Sequence, residues 1–298
     1  MKEFNFKKID AFATSKSDGN LAGYVTLNSI ADITPAEMLK IAKEMKGFVN
    51  EVGYVCQTAA NEFDLKYYSS EREVDFCGHA TIAIMYDLLK CNKQLGRCEF
   101  LKIRTNRGEL TVENRIESEN AVFILSPEPY EVHTLPNVKE IADNLGISVS
   151  EICENRPISI INAGLTTLIV PIWTLPSILN IAPQLETLKA FCEKNGIDII
   201  EVYSTVVADK SNNYRTRVFA PTFGYIEDAA TGSGNSALGY YLIKNNMWSG
   251  STVVIEQNGL FDNFNVVKLQ RKTDEKGNVR VLFGGGAITR IEGKYLLQ

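Results

Sequence analysis

Apolar and polar positions along the chain change period many times, and each change predicts an element. Ile9–Phe12 and Gly23–Leu27 read as short strands on either side of a Ser/Asp/Gly loop. Thr34-Pro35-Ala36-Glu37 predicts a helix start, with Thr as N-cap, Pro in the first turn and Glu at the third position. Met38, Ile41, Ala42 and Met45 then share one helical face, and Gly47 ends it. Val52–Cys56 and Phe63–Tyr68 alternate like paired strands. Leu101–Arg104 and Leu110–Glu113 flank Asn106-Arg107-Gly108, a hairpin signal in which Gly supplies a positive φ. Ala121–Leu125 is a further strand, and the prolines of Ser126-Pro127-Glu128-Pro129 predict a linker.

Beyond the linker the same grammar returns. Helices are predicted at Val138–Leu145, stopped by Gly146, and at Gln184–Lys194, stopped by Asn195-Gly196. Strands are predicted at Ser159–Asn162, Thr167–Val170, Ile199–Val207, Tyr214–Phe219, Val253–Gln257, Val266–Leu269 and Val279–Phe283.

Two stretches have no polar stripe. Ala80–Leu89 and Ala237–Ile243 are apolar or small nearly throughout, so each is a helix buried on all sides. Each follows a strand, a polar loop and a glycine: Tyr67-Tyr68-Ser69 leads to Cys77-Gly78-His79-Ala80, and Val218-Phe219-Ala220-Pro221 leads to Thr231-Gly232-Ser233-Gly234. At an offset of 154, Gly78 matches Gly232, Tyr86 matches Tyr240, Leu88 matches Leu242 and Lys90 matches Lys244, which points to an internal duplication. The expected class is therefore α+β, with two similar domains, each a mixed β-sheet or barrel wrapped around a central buried helix. The first spans 1–126 and the second 127–286, and a C-terminal strand at about 287–298 is placed to return to the first.

Composition narrows the function classes. The chain has 298 residues, 45% hydrophobic and 22% charged, which fits about two globular domains and rules out disorder as the main state. The net charge of −5 lacks the basic excess that nucleic acid or an anionic membrane surface calls for. Six cysteines without a Cys-x-x-Cys pair, and only His79 and His133, give no paired ligands at zinc-site spacing, so no metal is expected. No signal-length apolar core stands at the start. The most apolar stretch, Ile158–Trp173, is interrupted by Asn162, Gly164, Thr166, Thr167 and Pro171. A cytoplasmic protein with reduced thiols is expected.

The candidate chemistry gathers at the two helix starts. Gly78-His79 and Gly232-Ser233 stand where backbone N–H groups lack partners and can hold a carboxylate or a developing enolate; alternatively the glycines only allow a tight turn into the helix. The helix dipole favours neutral imidazole at His79, whether as a hydrogen-bonding group or as a capping residue. His133 reads as a surface residue. Asp228 follows Glu227, and such acids repel phosphate, so Gly232-Ser233-Gly234 is a poor dinucleotide fingerprint. The pair could also be plain charge complementing a helix start. Glu51 opens an apolar strand and is either solvated or, facing a dry cleft, a usable acid or base. Cys77 is either a thiol activated by the helix start or a small buried residue; its repeat counterpart is Thr231, so a two-thiol pair is absent.

These motifs resemble the PhzF family of phenazine-biosynthesis-like isomerases, which share the diaminopimelate epimerase fold. The resemblance covers most of the chain. It rests on Asp10-Ala11-Phe12, Gly19-Asn20-Leu21-Ala22, Asn50-Glu51-Val52-Gly53-Tyr54-Val55, Cys77-Gly78-His79-Ala80-Thr81, Arg217-Val218-Phe219-Ala220-Pro221, Glu227-Asp228-Ala229-Ala230-Thr231-Gly232-Ser233 and Gly285-Gly286-Ala287. It implies a cofactor-independent isomerase, often a homodimer, with its site between the domains. It also implies Glu51 as the acid/base that moves a proton between carbons of a small carboxylate such as a dihydro-hydroxyanthranilate. His79 and Asp228 would serve beside it as catalytic groups, with Asn20, Cys77, Gly78, Gly232 and Ser233 around the substrate. The chain has Ala229 where the family usually has Pro. It also has Gly259–Asn265 where the family has Gly-Arg-Pro-Ser, so the phenazine substrate is not carried over with the fold. The alternatives are a non-catalytic small-molecule binding protein on the same fold and an amino-acid epimerase or racemase using Cys77.

Overall fold

In the computed structural model, which describes residues 2–298, the chain divides into two units, Met1–Leu125 with Gly284–Gln298, and Ser126–Phe283. Unit one holds β1 (Lys2–Ala11), β2 (Asn20–Leu27), β3 (Glu51–Ala59), β4 (Glu62–Ser69), β5 (Glu73–Val74), β6 (Phe100–Thr105), β7 (Gly108–Arg115), β8 (Ala121–Leu125) and the last strand, β18 (Ala287–Leu297). Its helices are α1 (Pro35–Glu44), α2 (Gly78–Cys91) and the single turn α3 (Ile116–Glu119). β1 pairs antiparallel with β18 and β2, β2 parallel with β3, β3 antiparallel with β4, and β4 parallel with β6. β6, β7 and β8 continue antiparallel.

Local chemistry explains the elements. Thr34 and Glu37 form a reciprocal capping box at the start of α1, and Met38, Ile41 and Ala42 are its buried face. Asn106-Arg107 joins β6 to β7, with Gly108 at φ +106° as the hairpin pattern predicts. α2 buries every residue from Ala80 to Asp87 and packs on β1, β2, β3, β8 and β18.

Unit two holds β9 (Tyr130–Val132), β10 (Ser159–Asn162), β11 (Thr166–Pro171), β12 (Ile199–Ser204), β13 (Tyr214–Phe219), β14 (Glu227–Asp228), β15 (Thr252–Gln257), β16 (Asn265–Thr273) and most of β17 (Val279–Gly285). Its helices are α4 (Val138–Leu145), α5 (Leu175–Leu179), α6 (Leu185–Asn195) and α7 (Gly232–Lys244). Gly146 and Gly196 end α4 and α6 in left-handed conformation. Ile141, Leu145, Leu188 and Phe191 pack with Val202 and Phe219 as one core. α7 lies on β10, β11, β12 and β16, buried from Gly234 to Leu242.

The order of pairing in unit two repeats that of unit one. β11 and β12 are parallel, β12 and β13 antiparallel, β13 and β14 antiparallel, and β13 and β15 parallel. Each unit is thus a mixed sheet with one apolar helix against its inner face, the α+β class expected from the sequence.

Two expectations shift and one further helix is present. The first strand starts at Lys2 rather than Ile9, because β1 pairs with β18 from Lys2↔Leu297 onward. The strand predicted over Ile199–Val207 stops at Ser204, whose hydroxyl accepts a bond from the Val206 N–H at 3.1 Å and turns the chain. Leu175–Leu179 is helical, capped by Thr174, although Pro176 and its short length hide it.

A buried ion pair anchors the loop after β15. Arg215 and Glu256 have fully buried side chains 3.1 Å apart. Glu256 also accepts from the backbone N–H of Ala208 and Asp209 and from Asn212 Nδ2. Arg215 donates to the carbonyls of Asn258 and Leu260. Polar partners surround both charges, and the Arg215 guanidinium also lies over the Phe264 ring at 5.5 Å, so the pair is compensated on each side.

Candidate functional site

The site is built from the start of β3 and the start of α2. Gly19, at φ +70°, makes the turn into β2; a Cβ there would lie 2.6 Å from the Ala11 carbonyl oxygen. The next residue, Asn20, is buried and accepts a bond from Asn50 Nδ2 at 2.8 Å, while the Asn50 N–H donates to the Leu21 carbonyl. This fixes the residue before Glu51. Glu51 then starts β3, opposite Ala22 on one side and Ser69 on the other.

Cys77 is the N-cap of α2, and its side chain makes no capping hydrogen bond. Its carbonyl accepts from the Thr81 hydroxyl at 2.6 Å, and Tyr67 is hydrogen-bonded to that hydroxyl, also at 2.6 Å. Gly78 and His79 are the first two residues of the helix.

The strand start and the helix start meet. His79 Nε2 lies 3.1 Å from Glu51 Oε2, with side-chain exposures of 14% and 22%. Cys77 Sγ lies 3.5 Å from His79 Nδ1 and 3.8 Å from Nε2. Glu51 Oε2 is itself buried and has no aligned donor, so the imidazole sits beside it off the hydrogen-bond axis. A carboxylate oxygen in that state keeps a free lone pair for a proton.

One titration differs from the sequence expectation, and a second decides between two readings left open there. Burial alone would lower His79, but negative charge shared by the Cys77 sulfur and the Glu51 carboxylate beside it outweighs burial and holds it well above its usual value. The helix dipole therefore does not keep this imidazole neutral. Burial pushes the Cys77 thiol up, with the Glu51 charge adding to it and His79 opposing, so the buried-residue reading of Cys77 prevails over the activated-thiol one.

The remaining candidates lie in unit two. Asp228 pairs with Val218 across β13–β14, and its carboxylate accepts a bond from the Thr231 hydroxyl. Gln257 ties this loop together: Nε2 donates to the Asp228 carbonyl, and Oε1 accepts from the Thr231 N–H and Asn235 Nδ2. Glu227 is not helix-start charge. It forms a two-point pair with Arg217, at 3.0 and 2.8 Å. Gly232 opens α7, and a Cβ there would fall 2.5 Å from the Phe283 ring. Ser233, half-buried, follows it. His133 is exposed, as read from the sequence.

So the structure joins Asn20 (through Asn50), Glu51, Cys77, Gly78 and His79 in unit one, and Asp228, Gly232 and Ser233 in unit two. Sequence reasoning missed Asn235 and Gln257, which fix the Asp228 loop. It also missed Glu201 in β12, fully buried with both carboxylate oxygens unpartnered and lifted by burial well above its usual range. The signal was present: an acid inside the apolar run Ile199–Tyr203 has no solvent to reach. The fold also sets Glu51 beside Cys77 and His79, with a carboxylate oxygen, a sulfur and a ring nitrogen within 4.8 Å of one another. Among the described residues no helix is long and apolar enough to cross a membrane.

Comparison with known proteins adds a second line of observation. Residues 9–293 match the family model PhzC-PhzF, described as phenazine biosynthesis-like protein. The uncharacterized isomerase YfhB of Bacillus subtilis is 29% identical over 301 residues, covering 98% of this chain and 99% of that one. The trans-2,3-dihydro-3-hydroxyanthranilate isomerase of Pseudomonas fluorescens is 25% identical over 244 residues, 80% of each chain. Among solved structures, the PhzF-family phenazine biosynthesis protein of Bacillus anthracis superposes with a TM-score of 0.88 at 23% identity, over 99% of this chain and 100% of that one; this is a likeness of fold.

Proposed function

The chain belongs to the phenazine biosynthesis-like PhzC-PhzF family, and from that premise we propose that this isomerase moves a proton between carbon atoms of a small carboxylate-bearing metabolite, with Glu51 as acid and base. The observation that carries the proposal is the unaligned, buried Oε2 of Glu51 beside His79. An oxygen with a free lone pair, half shielded from water, is suited to take a proton from carbon and return it elsewhere. His79 holds a proton at 3.1 Å and stabilises the negative charge that Glu51 carries before transfer. The N–H groups at the start of α2 favour negative charge developing on a substrate oxygen. Asp228 and Ser233 act on the same substrate in the family pattern, and we carry those roles over as part of the proposal. A hydroxyanthranilate-like ring acid is one substrate of the right class.

The racemase alternative is weaker. It needs two groups of matched acidity on opposite faces of one carbon, and Cys77 is a buried thiol with Thr231 at its repeat position.

Proton NMR in D₂O tests the proposal. Wild type and Glu51→Gln are incubated with a panel of cyclic and amino carboxylic acids, dihydro-hydroxyanthranilate included. Deuterium is expected to enter a carbon position with wild type only. Equal exchange by Glu51→Gln would remove Glu51 from the mechanism.

A further inference from the structure

The carboxylate of Asp228 rides on β14, a strand of two residues. β14 pairs with β13 through Phe219↔Glu227 and Val218↔Asp228. Residues opposite one another share a face and neighbours along a strand alternate, so Glu227 and Asp228 project to opposite sides. Glu227 shares the side of Arg217 and Phe219, toward the end of α5. Asp228 shares the side of Val218 and meets Thr231, the N-cap of α7. Two ladder pairs fix such a strand weakly, so a grip on one side sets the aim on the other. We propose that Arg217 and Glu227 are positioning residues, which hold β14 from the α5 side so that Asp228 keeps its carboxylate at the start of α7.

The grip uses the whole guanidinium. Nε and Nη2 donate to the two carboxylate oxygens of Glu227 at 3.0 and 2.8 Å. Nη1 donates to the carbonyls of Ile178, Leu179 and Ile181 at 3.1, 3.1 and 2.7 Å. The group lies over the Phe219 ring at 5.0 Å, and Gly259 lies against it, where a Cβ would fall 3.2 Å from Cζ. The two side chains are 9% and 20% exposed. A planar fork held at this many points has one orientation, and lysine does not reproduce it.

Unit one supplies the comparison. There β5 pairs with β4 through Tyr68↔Glu73 and Tyr67↔Val74. Lys66, Glu73 and Val74 thus stand where unit two has Arg217, Glu227 and Asp228. Lys66 and Glu73 make one contact of 3.3 Å at 38% and 36% exposure, a pair that contributes little. The residue on the far side is Val74, an apolar side chain that needs no aim. The buried two-point grip occurs where the far side carries an acid. Its role in catalysis rests on the reading of Asp228 as a group that acts on substrate; the positioning itself does not.

Two variants test the grip. Arg217→Lys gives unit two the lysine of unit one, and Glu227→Gln keeps the shape of the pair but removes one charge. In crystal structures of both, the Asp228 carboxylate is expected to leave the Thr231 hydroxyl while α7 stays in place. On a substrate that wild type exchanges in D₂O, Arg217→Lys is expected to lower the saturating rate by ~10²-fold with KM little changed. In an Asp228→Asn background the same substitution is expected to cost less than ~3-fold, because both changes remove one effect; its cost in urea unfolding should persist there. Glu73→Gln, at the exposed counterpart pair, is expected to keep exchange within ~2-fold. Asp228 unmoved in both variants overturns the proposal, as do losses that multiply in the Asp228→Asn background or an equal loss in Glu73→Gln. A displaced Asp228 together with full exchange by Asp228→Asn would uphold the grip and strike Asp228 from the proposed reaction.

Discussion

Gly53 and Glu201 stand at the same place in the two units. Gly53 faces Tyr67 across β3–β4, and Tyr67 faces Val74 of β5. Glu201 faces Val218 across β12–β13, and Val218 faces Asp228 of β14. By the same register Glu51 matches Ile199. Each unit therefore carries a carboxyl group on the helix-facing side of this strand, but in unit two it lies two residues further in, roughly 6.6 Å along the strand. Glu51, at the strand's first residue, reaches His79 and keeps contact with water. Glu201 is sealed against Gly234, where a Cβ would lie 2.8 Å from its Oε2. In unit one the small residue is on the strand instead, and Ile84 of α2 fills the space in front of Gly53. Two residues of displacement separate a partly exposed carboxyl group beside an imidazole from a fully buried one that burial pushes above its usual range.

The helix starts differ in the same sense. Cys77 and His79 put titratable groups at the start of α2, beside Glu51 of β3; at the start of α7 the unpartnered buried atom is the neutral Asn235 Oδ1. Thr231 sits in a network of Asp228, Gln257 and Asn235 that meets most of its hydrogen-bonding capacity.

The contrast breaks most sharply at Glu51. Glu51→Gln is expected to lower isotope exchange by ~10²–10⁴-fold with little change in stability, whereas Glu201→Gln should leave exchange within about threefold; comparable losses in both would erase the distinction. Next in size is packing. Gly53→Ala drives a Cβ to 2.4 Å from Ile84 Cδ1 and should cost about 1–3 kcal/mol in urea unfolding. Gly234→Ala should cost a similar amount alone, and markedly less in a Glu201→Ala background, which gives unit two the small-residue arrangement of unit one. A cycle with no coupling would mean that Gly234 and Glu201 do not share the space.

Smaller effects are read from pH. Glu201 is raised in the folded state, so its proton contributes stability fully below the unfolded value of about 4.3, and that contribution is lost as pH rises through the folded value. Wild type should therefore lose stability relative to Glu201→Gln as pH rises above about 4.3; a gap independent of pH would mean the acid ionises freely. His79 follows the same sign in a higher window. Its stabilising contribution is complete below about 6.5 and fades as pH climbs through its raised folded value, so the gap to His79→Gln should narrow in alkali.

What was legible in the sequence follows from range. Val138–Leu145 and its Gly146 stop, the Thr34 capping box and the Gly108 hairpin depend on neighbours within a few residues, and all were readable. β1 was under-read over its first residues because Lys2–Lys8 is largely polar and its pairing partner, the expected C-terminal strand β18, lies at the other end of the chain. Glu51 and His79 could each be singled out by local context and resemblance. Their 3.1 Å approach could not, since it depends on how β3 is registered against the sheet that carries α2. Glu201 went unremarked although the apolar residues on both sides of it, Ile199–Tyr203, marked it as buried.

The Arg215–Glu256 pair has a consequence for how the chain tolerates change. Arg215 holds the carbonyls of Asn258 and Leu260, and Asn258 Nδ2 donates to the Asn263 carbonyl, so both feet of this loop are fastened from within. Leu260 and Phe261 at its tip remain more than half exposed. Lengthening, tagging or nicking the chain at Phe261 would disturb neither foot, which makes this tip the natural port for attaching a label or a tether without touching either carboxyl group.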